Sequence, residues 1–340
     1  MSEADRYSRQ VRFEPIGLDG QRKIAAARVG VVGLGALGGI EVEQLTRAGV
    51  GYVRAIDRDL VEVSNLQRQT LFTEEDARSN LPKAVAARRR LEQINSDVVL
   101  DFTVDDLNPA NVEQWLDGLD LVVDGLDNFE TRFVLNDACR KLGIPWVYAA
   151  AVGGYGLTMP VLSDGPCLRC VVDTLPAAGS SPTCDTAGVI APATGTIGSL
   201  AVAIALRLLV SGIDPDSVRL TTIDVWTMRP QVVGIPSGLR DRCPLCSEGR
   251  MDYLATDPLR TVQLCGRNAV QLIPSVRTDL DLDRLSRSLA VFGPVEWNEF
   301  LLKCSNPPYE LTLFKDGRAI VKGTEEPSLA RSLYSRMVGA

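Results

Sequence analysis

"VGVVGLGALGGI", residues 29–40, decides how the rest of the chain is read. A β-branched apolar run ends in Gly33, Gly35 and Gly38, and an Ala/Leu/Glu segment with helical spacing continues to Arg47. The order is strand, tight turn, helix, with the glycines spaced GxGxxG. Such a turn lets the backbone approach phosphates, and the N-terminus of the following helix favours their charge. A second strand, "YVRAID" (52–57), closes a βαβ unit and puts Asp57 where a carboxylate that binds ribose hydroxyls is expected. Taken alone, the pattern predicts a nucleotide site and leaves NAD, FAD and other nucleotides open, an NAD dehydrogenase being the first reading. Glycines serving only close packing are the alternative.

Outward from this unit, "LPKAVAARRRLEQI" (81–94) reads as a helix with Pro82 in its first turn. "VVLDFTV" (98–104), "LDLVVDGLD" (119–127) and "IPWVYAAAV" (144–152) read as strands, and "ETRFVLNDACRKLG" (130–143) as a helix ending at Gly143. Strands alternating with helices predict an α/β fold with a mostly parallel sheet covered on both faces. "DTLPAAGSSPTCDT" (173–186) has no periodicity and reads as a mobile crossover before a buried helix, "IGSLAVAIALRLLV" (197–210). "SEGRMDYLATDP" (247–258) reads as a linker. It divides the chain into a domain over 1–250 and a small C-terminal α+β domain over 257–340. The latter is expected to run strand (261–274), helix (282–293), strand (295–304), a hairpin turning at Asp316-Gly317, and a last helix (327–338).

A chain of 340 residues with 45% hydrophobic content is long enough to bury a sizeable core. The N-terminal "MSEADRYSRQ" holds no apolar run, and Ile197–Val210 is too short to span a bilayer and contains Arg207, so a cytoplasmic protein that does not engage a membrane is expected. A net charge of −7 argues against a broad nucleic-acid-binding face. There is no histidine. Any chemistry therefore works without an imidazole and should need little proton abstraction.

"VSNLQRQTLF" (63–72) gathers Asn65, Gln67, Arg68 and Gln69 just beyond the acidic strand end. Hydride transfer needs no arginine near the phosphates, whereas attack on the α-phosphate of a nucleoside triphosphate builds charge that a guanidinium can hold by two hydrogen bonds. Lys83 belongs with it, since a cation at a helix start opposes the macrodipole. Solvated, idle cations are the alternative. Of eight cysteines, Cys167 with Cys170 and Cys243 with Cys246 form two CxxC pairs, a spacing that suits a closed, structural tetrahedral zinc site. Two redox dithiols are the rival reading. Cys139 and Cys304 read as core, and Cys265 either as a reactive thiol at a strand end or as a small core residue.

Together, "RYSRQ", "GLGALG", "DRDLVEVSNLQRQ", "LPKA", "DGLDNFETR", "CLRC", "TCDTAGVIAP" and "CPLC", over about the first 250 residues, resemble the ThiF/MoeB/HesA adenylyltransferases, relatives of the ubiquitin-activating E1 enzymes. The resemblance implies a Rossmann-like fold. It implies an enzyme that uses ATP and magnesium to adenylate the C-terminal Gly-Gly carboxylate of a small ubiquitin-like sulfur carrier, with release of pyrophosphate. By the same resemblance Asp57 holds the ribose, with Asp59 among the nucleotide-binding residues, and Asn65, Arg68 and Lys83 contact the phosphates. Gln69 and Asn128 support them, Asp127 coordinates magnesium, and Arg9 reaches into the site of a partner subunit, implying a homodimer. Cys184 stands where relatives carry a cysteine that forms a thioester or an acyl disulfide with the activated carrier; an idle thiol is the alternative. A sulfur donor such as a cysteine desulfurase would complete thiamin, molybdopterin or tRNA thiolation. The tail lacks the CRxGxR-type loop of a rhodanese, and "LCGRNAVQ" resembles an appendage of some bacterial ThiF-like proteins. A prokaryotic E1-like enzyme of protein conjugation, adenylation of a small molecule, an NAD(P)-dependent oxidoreductase and a non-catalytic scaffold remain as other readings.

Overall fold

In the computed structural model, residues 6–174, 187–255, 261–264, 268–273 and 279–338 are described. The chain divides into two compact units, one over the described residues up to 255 and a smaller one from 261 onward.

The larger unit carries an eight-stranded sheet in the order β3-β2-β1-β4-β5-β6-β7-β8. Its strands are β1 (Arg28–Val32), β2 (Tyr52–Ile56), β3 (Val99–Thr103), β4 (Leu121–Asp124), β5 (Trp146–Val152), β6 (Tyr155–Val161), β7 (Arg219–Asp224) and β8 (Arg229–Gly234). The first five are parallel and the last three antiparallel. One face carries α1 (Gly17–Ala26), α2 (Gly38–Ala48), α3 (Lys83–Glu92) and α5 (Ala191–Ser211) over a core that includes Val31, Leu45, Leu91 and Ala201. The other carries α4 (Phe129–Leu142) over Val122, Phe133, Cys139 and Trp146. Covering both faces is what lets β1 and β4 be apolar at almost every position.

The parallel half matches the sequence expectation and the antiparallel half was missed. β6 and β7 carry mixed polar residues, Pro160 and Pro230 interrupt the pattern, and all six residues of β8 are exposed, so no apolar periodicity marks them. Pro82 sits one residue before α3 as its N-cap, not inside the first turn. The apolar helix is also longer than expected. Its 21 residues are enough by length and composition to cross a membrane; here Ile197, Ala201, Val202 and Ala205 are buried, and the helix packs on β5, β6, α1 and α2.

The smaller unit is a six-stranded sheet in the order β11-β12-β13-β14-β10-β9, antiparallel throughout. It comprises β9 (Thr261–Leu264), β10 (Ala269–Leu272), β11 (Val295–Trp297), β12 (Leu301–Asn306), β13 (Tyr309–Phe314) and β14 (Ala319–Lys322), with α6 (Leu282–Leu289) and α7 (Pro327–Val338). Two expected single strands are each divided: 261–274 folds back so that Leu264 pairs with Ala269, and 295–304 breaks between Trp297 and Leu301. Cys304 is buried in this unit's core, and Cys265 lies outside the described residues.

Candidate active site

Parallel pairing fixes what meets at the carboxyl end of the sheet. Val32 of β1 is in register with Ile56 of β2 and with Asp124 of β4, so the chain leaves all three strands side by side at Gly33, Asp57 and Gly125. This is where an open α/β sheet binds its ligand. Gly33 turns at φ +86°, and a Cβ there would lie 2.7 Å from the Gly125 carbonyl oxygen. A Cβ on Gly38 would lie 1.9 Å from the Gly33 oxygen, so these two glycines serve close packing of turn, helix and strand end. Gly35 differs. Among the described residues a Cβ there would meet only Gln69 Nε2, at 3.8 Å, which leaves its backbone open to a ligand.

Asp57 ties the turn to the second strand. Its Oδ2 accepts the Leu34 N–H at 2.6 Å and its Oδ1 accepts the Asp59 N–H at 2.7 Å. Burial pushes its carboxyl up, and the Lys83 charge pulls it back. Asp59 holds Lys83 twice: its carbonyl accepts the Lys83 N–H at 2.9 Å, and its Oδ2 lies 3.0 Å from Lys83 Nζ. Lys83 is only 4% exposed, so the cation that looked unfavourable at a helix start has a fixed counter-charge.

Beyond Asp59 the chain makes a 3₁₀ turn over Val63–Asn65. Asn65 is buried, and its Oδ1 accepts the Glu62 N–H, leaving the Nδ2 group to donate to a ligand. The Asn65 carbonyl then accepts the N–H groups of Arg68 and Gln69, which turns both side chains out of one tight loop. Arg68 donates from Nη1 to the Ser64 carbonyl at 3.0 Å, and no carboxylate among the described residues pairs with it. Gln69 is buried; its Nε2 lies beside the open Gly35, and its Oε1 has no hydrogen-bond partner among the described residues.

From β4 come the two residues expected near magnesium and nucleotide. Asp127 is exposed and accepts from Asn128 Nδ2 at 3.3 Å. Asn128 has a structural duty that the sequence reading did not assign: its Oδ1 accepts the Thr131 N–H at 2.9 Å as N-cap of α4. Three buried ionisable residues beneath this corner, Asp124, Arg132 and Glu41, were missed altogether. Arg132 Nε bonds Asp124 Oδ2 at 2.8 Å, and its Nη2 donates to the carbonyls of Leu126 and Ala149, fixing the segment that carries Asp127. Glu41 is fully buried with neither oxygen hydrogen-bonded among the described residues; burial, then the Asp124 charge, push its carboxyl well above the usual range. The eight-residue separation of Asp124 and Arg132 inside "DGLDNFETR" was the available signal, and nothing in the pattern around Glu41 marked it.

Arg9 stays outside this pocket within its own chain. Tyr7 accepts from Asn95 Nδ2, and Gln10 donates to Gln21 and to the Ala48 carbonyl, which pins the Ser8–Val11 turn and leaves Arg9 exposed. Cys184 lies outside the described residues.

The four cysteines are brought together, with all four Sγ atoms within 4.8 Å of one another. Cys167 and Cys243 are 3.6 Å apart, as are Cys170 and Cys246. Tetrahedral zinc with Zn–S bonds of about 2.3 Å puts its sulfurs about 3.8 Å apart, so the cluster has room for that ion and no fifth position for a substrate. The lower half of α4 holds both pairs. Asn136 Oδ1 accepts the Leu168 N–H, Asp137 lies 3.6 Å from Arg169, and Arg140 donates to Cys246 Sγ and to the Gly165 carbonyl.

Residues 7–245 match the ThiF family. The chain belongs to the ThiF family. Among its relatives is the sulfur carrier protein ThiS adenylyltransferase of Bacillus subtilis, 43% identical over 337 residues, 98% of this chain and 99% of that one. The SAMP-activating enzyme E1 of Haloferax volcanii is 37% identical over 74% of this chain and 92% of its own. The Escherichia coli ThiS adenylyltransferase is 36% identical over 73% of this chain and 96% of its own. Among solved structures, E. coli MccB superposes with a TM-score of 0.62 over 72% of this chain and 73% of its own, at 22% identity, a likeness of fold. The tail is shared within the ThiF family at least by the B. subtilis protein, whose alignment runs almost the full length.

Proposed function

We propose that the protein is an ATP-dependent adenylyltransferase that activates the C-terminal Gly-Gly carboxylate of a small ubiquitin-like sulfur carrier and releases pyrophosphate. The observation that carries this reading is the nearly full-length likeness to a sulfur carrier protein ThiS adenylyltransferase. Its physical support is the juxtaposition of an open glycine turn, an orphaned Gln69 oxygen and a cation-bearing loop at one strand end. The oxidoreductase reading has no comparable support.

The chain's own residues do the following. Asp57 keeps lone pairs for ribose hydroxyls while anchoring the turn. Backbone N–H groups around Gly35 and the start of α2 receive phosphates. Asn65 Nδ2 and the Arg68 guanidinium face the phosphate under attack, with Lys83 beside them, holding charge that grows as the carrier's carboxylate oxygen bonds to the α-phosphorus and the bond to pyrophosphate breaks. That carboxylate is already an anion at neutral pH, so no base is needed, in keeping with a chain without histidine. Asp127 is the oxygen ligand offered to Mg2+, which supplies charge neutralisation at the phosphates. Cys167, Cys170, Cys243 and Cys246 hold zinc as a cross-link. We take Arg9 as a residue lent to the partner subunit of a homodimer, Cys184 as the thiol that takes the activated carrier with loss of AMP, a cysteine desulfurase as sulfur source, the cytoplasm as the site of action, and residues 257–340 as an appended domain.

Carrier-dependent exchange of labelled pyrophosphate into ATP, with the carrier's mass followed in parallel, tests the reading. Growth of the carrier mass by one adenylyl group is expected; no exchange with any Gly-Gly carrier would overturn it. The Haloferax relative's name favours protein conjugation as a second outcome, recognised by an isopeptide on lysine instead of a thiocarboxylate.

A further inference from the structure

Arg58 lies between two strand ends and has no part in the scheme above. Its Nη1 is 2.8 Å from Asp106 Oδ1, in the segment after β3, and its Nε is 3.9 Å from Asp59 Oδ1. Asp59 is the carboxylate whose other oxygen holds Lys83. Asp106 is itself fixed: its N–H donates to Asp105 Oδ1 at 2.7 Å, and its carbonyl accepts from Asn108 and Asn111. A line of alternating charges, Asp106, Arg58, Asp59 and Lys83, thus runs across the carboxyl ends of the sheet, its side chains between 4% and 19% exposed.

A triphosphate that uses Lys83 competes with Asp59 for the same ammonium. Without Arg58, Asp59 would lose the guanidinium beside its Oδ1 and hold Lys83 more tightly, and the Asp59 and Asp106 carboxylates would repel the incoming anion more strongly. We infer that Arg58, held in place by Asp106, is a positioning residue for adenylation: it offsets the Asp59 carboxylate and so leaves the Lys83 charge available to the phosphates. The inference rests on the adenylyltransferase reading and acts through Lys83, with no direct contact between Arg58 and substrate.

The test measures binding of a non-hydrolysable ATP analogue by calorimetry, together with pyrophosphate exchange, for full-length protein carrying Arg58→Gln, Arg58→Lys, Asp106→Asn, Asp59→Asn, and Arg58→Gln with Asp59→Asn. Arg58→Gln is expected to weaken the analogue and raise the KM for ATP about tenfold, while the KM for the carrier stays put and Arg58→Lys restores most of the loss. Asp106→Asn should act in the same direction, and melting of the unliganded protein checks that each variant is folded. In the Asp59→Asn background the cost of Arg58→Gln should vanish. An equal cost in that background, or unchanged analogue binding by Arg58→Gln and Asp106→Asn, overturns the inference and leaves the adenylyltransferase reading standing. Failure of the unsubstituted protein to bind the analogue or to exchange overturns that reading instead.

Discussion

A carboxyl group sealed inside a protein makes stability depend on pH, and Glu41 is such a group. Its native pKa is raised above 4.5, so the native state keeps a proton that the unfolded chain releases, and stability falls as pH rises through and beyond that value. Glu41→Gln removes the proton exchange. The stability difference in favour of Glu41→Gln should widen as pH rises above the ordinary carboxylate range, measured from urea midpoints at each pH. Arg68 is the opposite kind of residue, part-exposed and with no carboxylate partner among the described residues. Arg68→Ala should lower kcat for exchange by about a hundredfold or more, with stability almost unmoved. Both residues could be read as charged from the sequence, but only Arg68 could be given a purpose. Its neighbours in the chain are its neighbours in space, whereas the meeting of Glu41 with Asp124 and Arg132 is made by packing between separate elements.

At the scale of elements, α4 joins the two candidate sites. Its first turn is capped by Asn128 beside Asp127, and its last turns hold the cysteine pairs through Asn136, Asp137 and Arg140. Asn128→Ala should cost about 1 kcal/mol of stability and Asn128→Ser should recover most of it, separating the cap from any role toward nucleotide. Arg140 hydrogen-bonds one of the four sulfurs, so Arg140→Gln should weaken retention of the proposed zinc about tenfold, read as faster capture of the metal by a chromogenic chelator. The helix was legible from its apolar spacing and terminal Gly143, and the cysteines from their spacing. That one element braces both CxxC pairs was not legible, because residues 136–140 and 167–170 are strangers in sequence and the hydrogen bonds between them leave no periodic trace.

For the molecule as a whole, the parallel half of the large sheet, the glycine turn and the acidic strand end followed from the sequence because βαβ units write themselves as local periodicity. The strands β6–β8 did not, since their partners rather than their composition hold them in the sheet. The proposed homodimer gives a test that no single subunit can mimic. Arg9→Ala and Arg68→Ala protomers, each inactive alone, should regain about a quarter of wild-type activity when mixed and allowed to exchange, because half the dimers are then mixed and each has one complete site. β8 ends the large sheet with all six residues exposed, so the sheet carries an unfinished hem whose outer backbone groups meet no further strand among the described residues. Salts that draw water away, such as sulfate, stabilise each folded molecule and should at the same time knit molecules together along that hem, seen as light scattering that rises with sulfate while the melting temperature rises too.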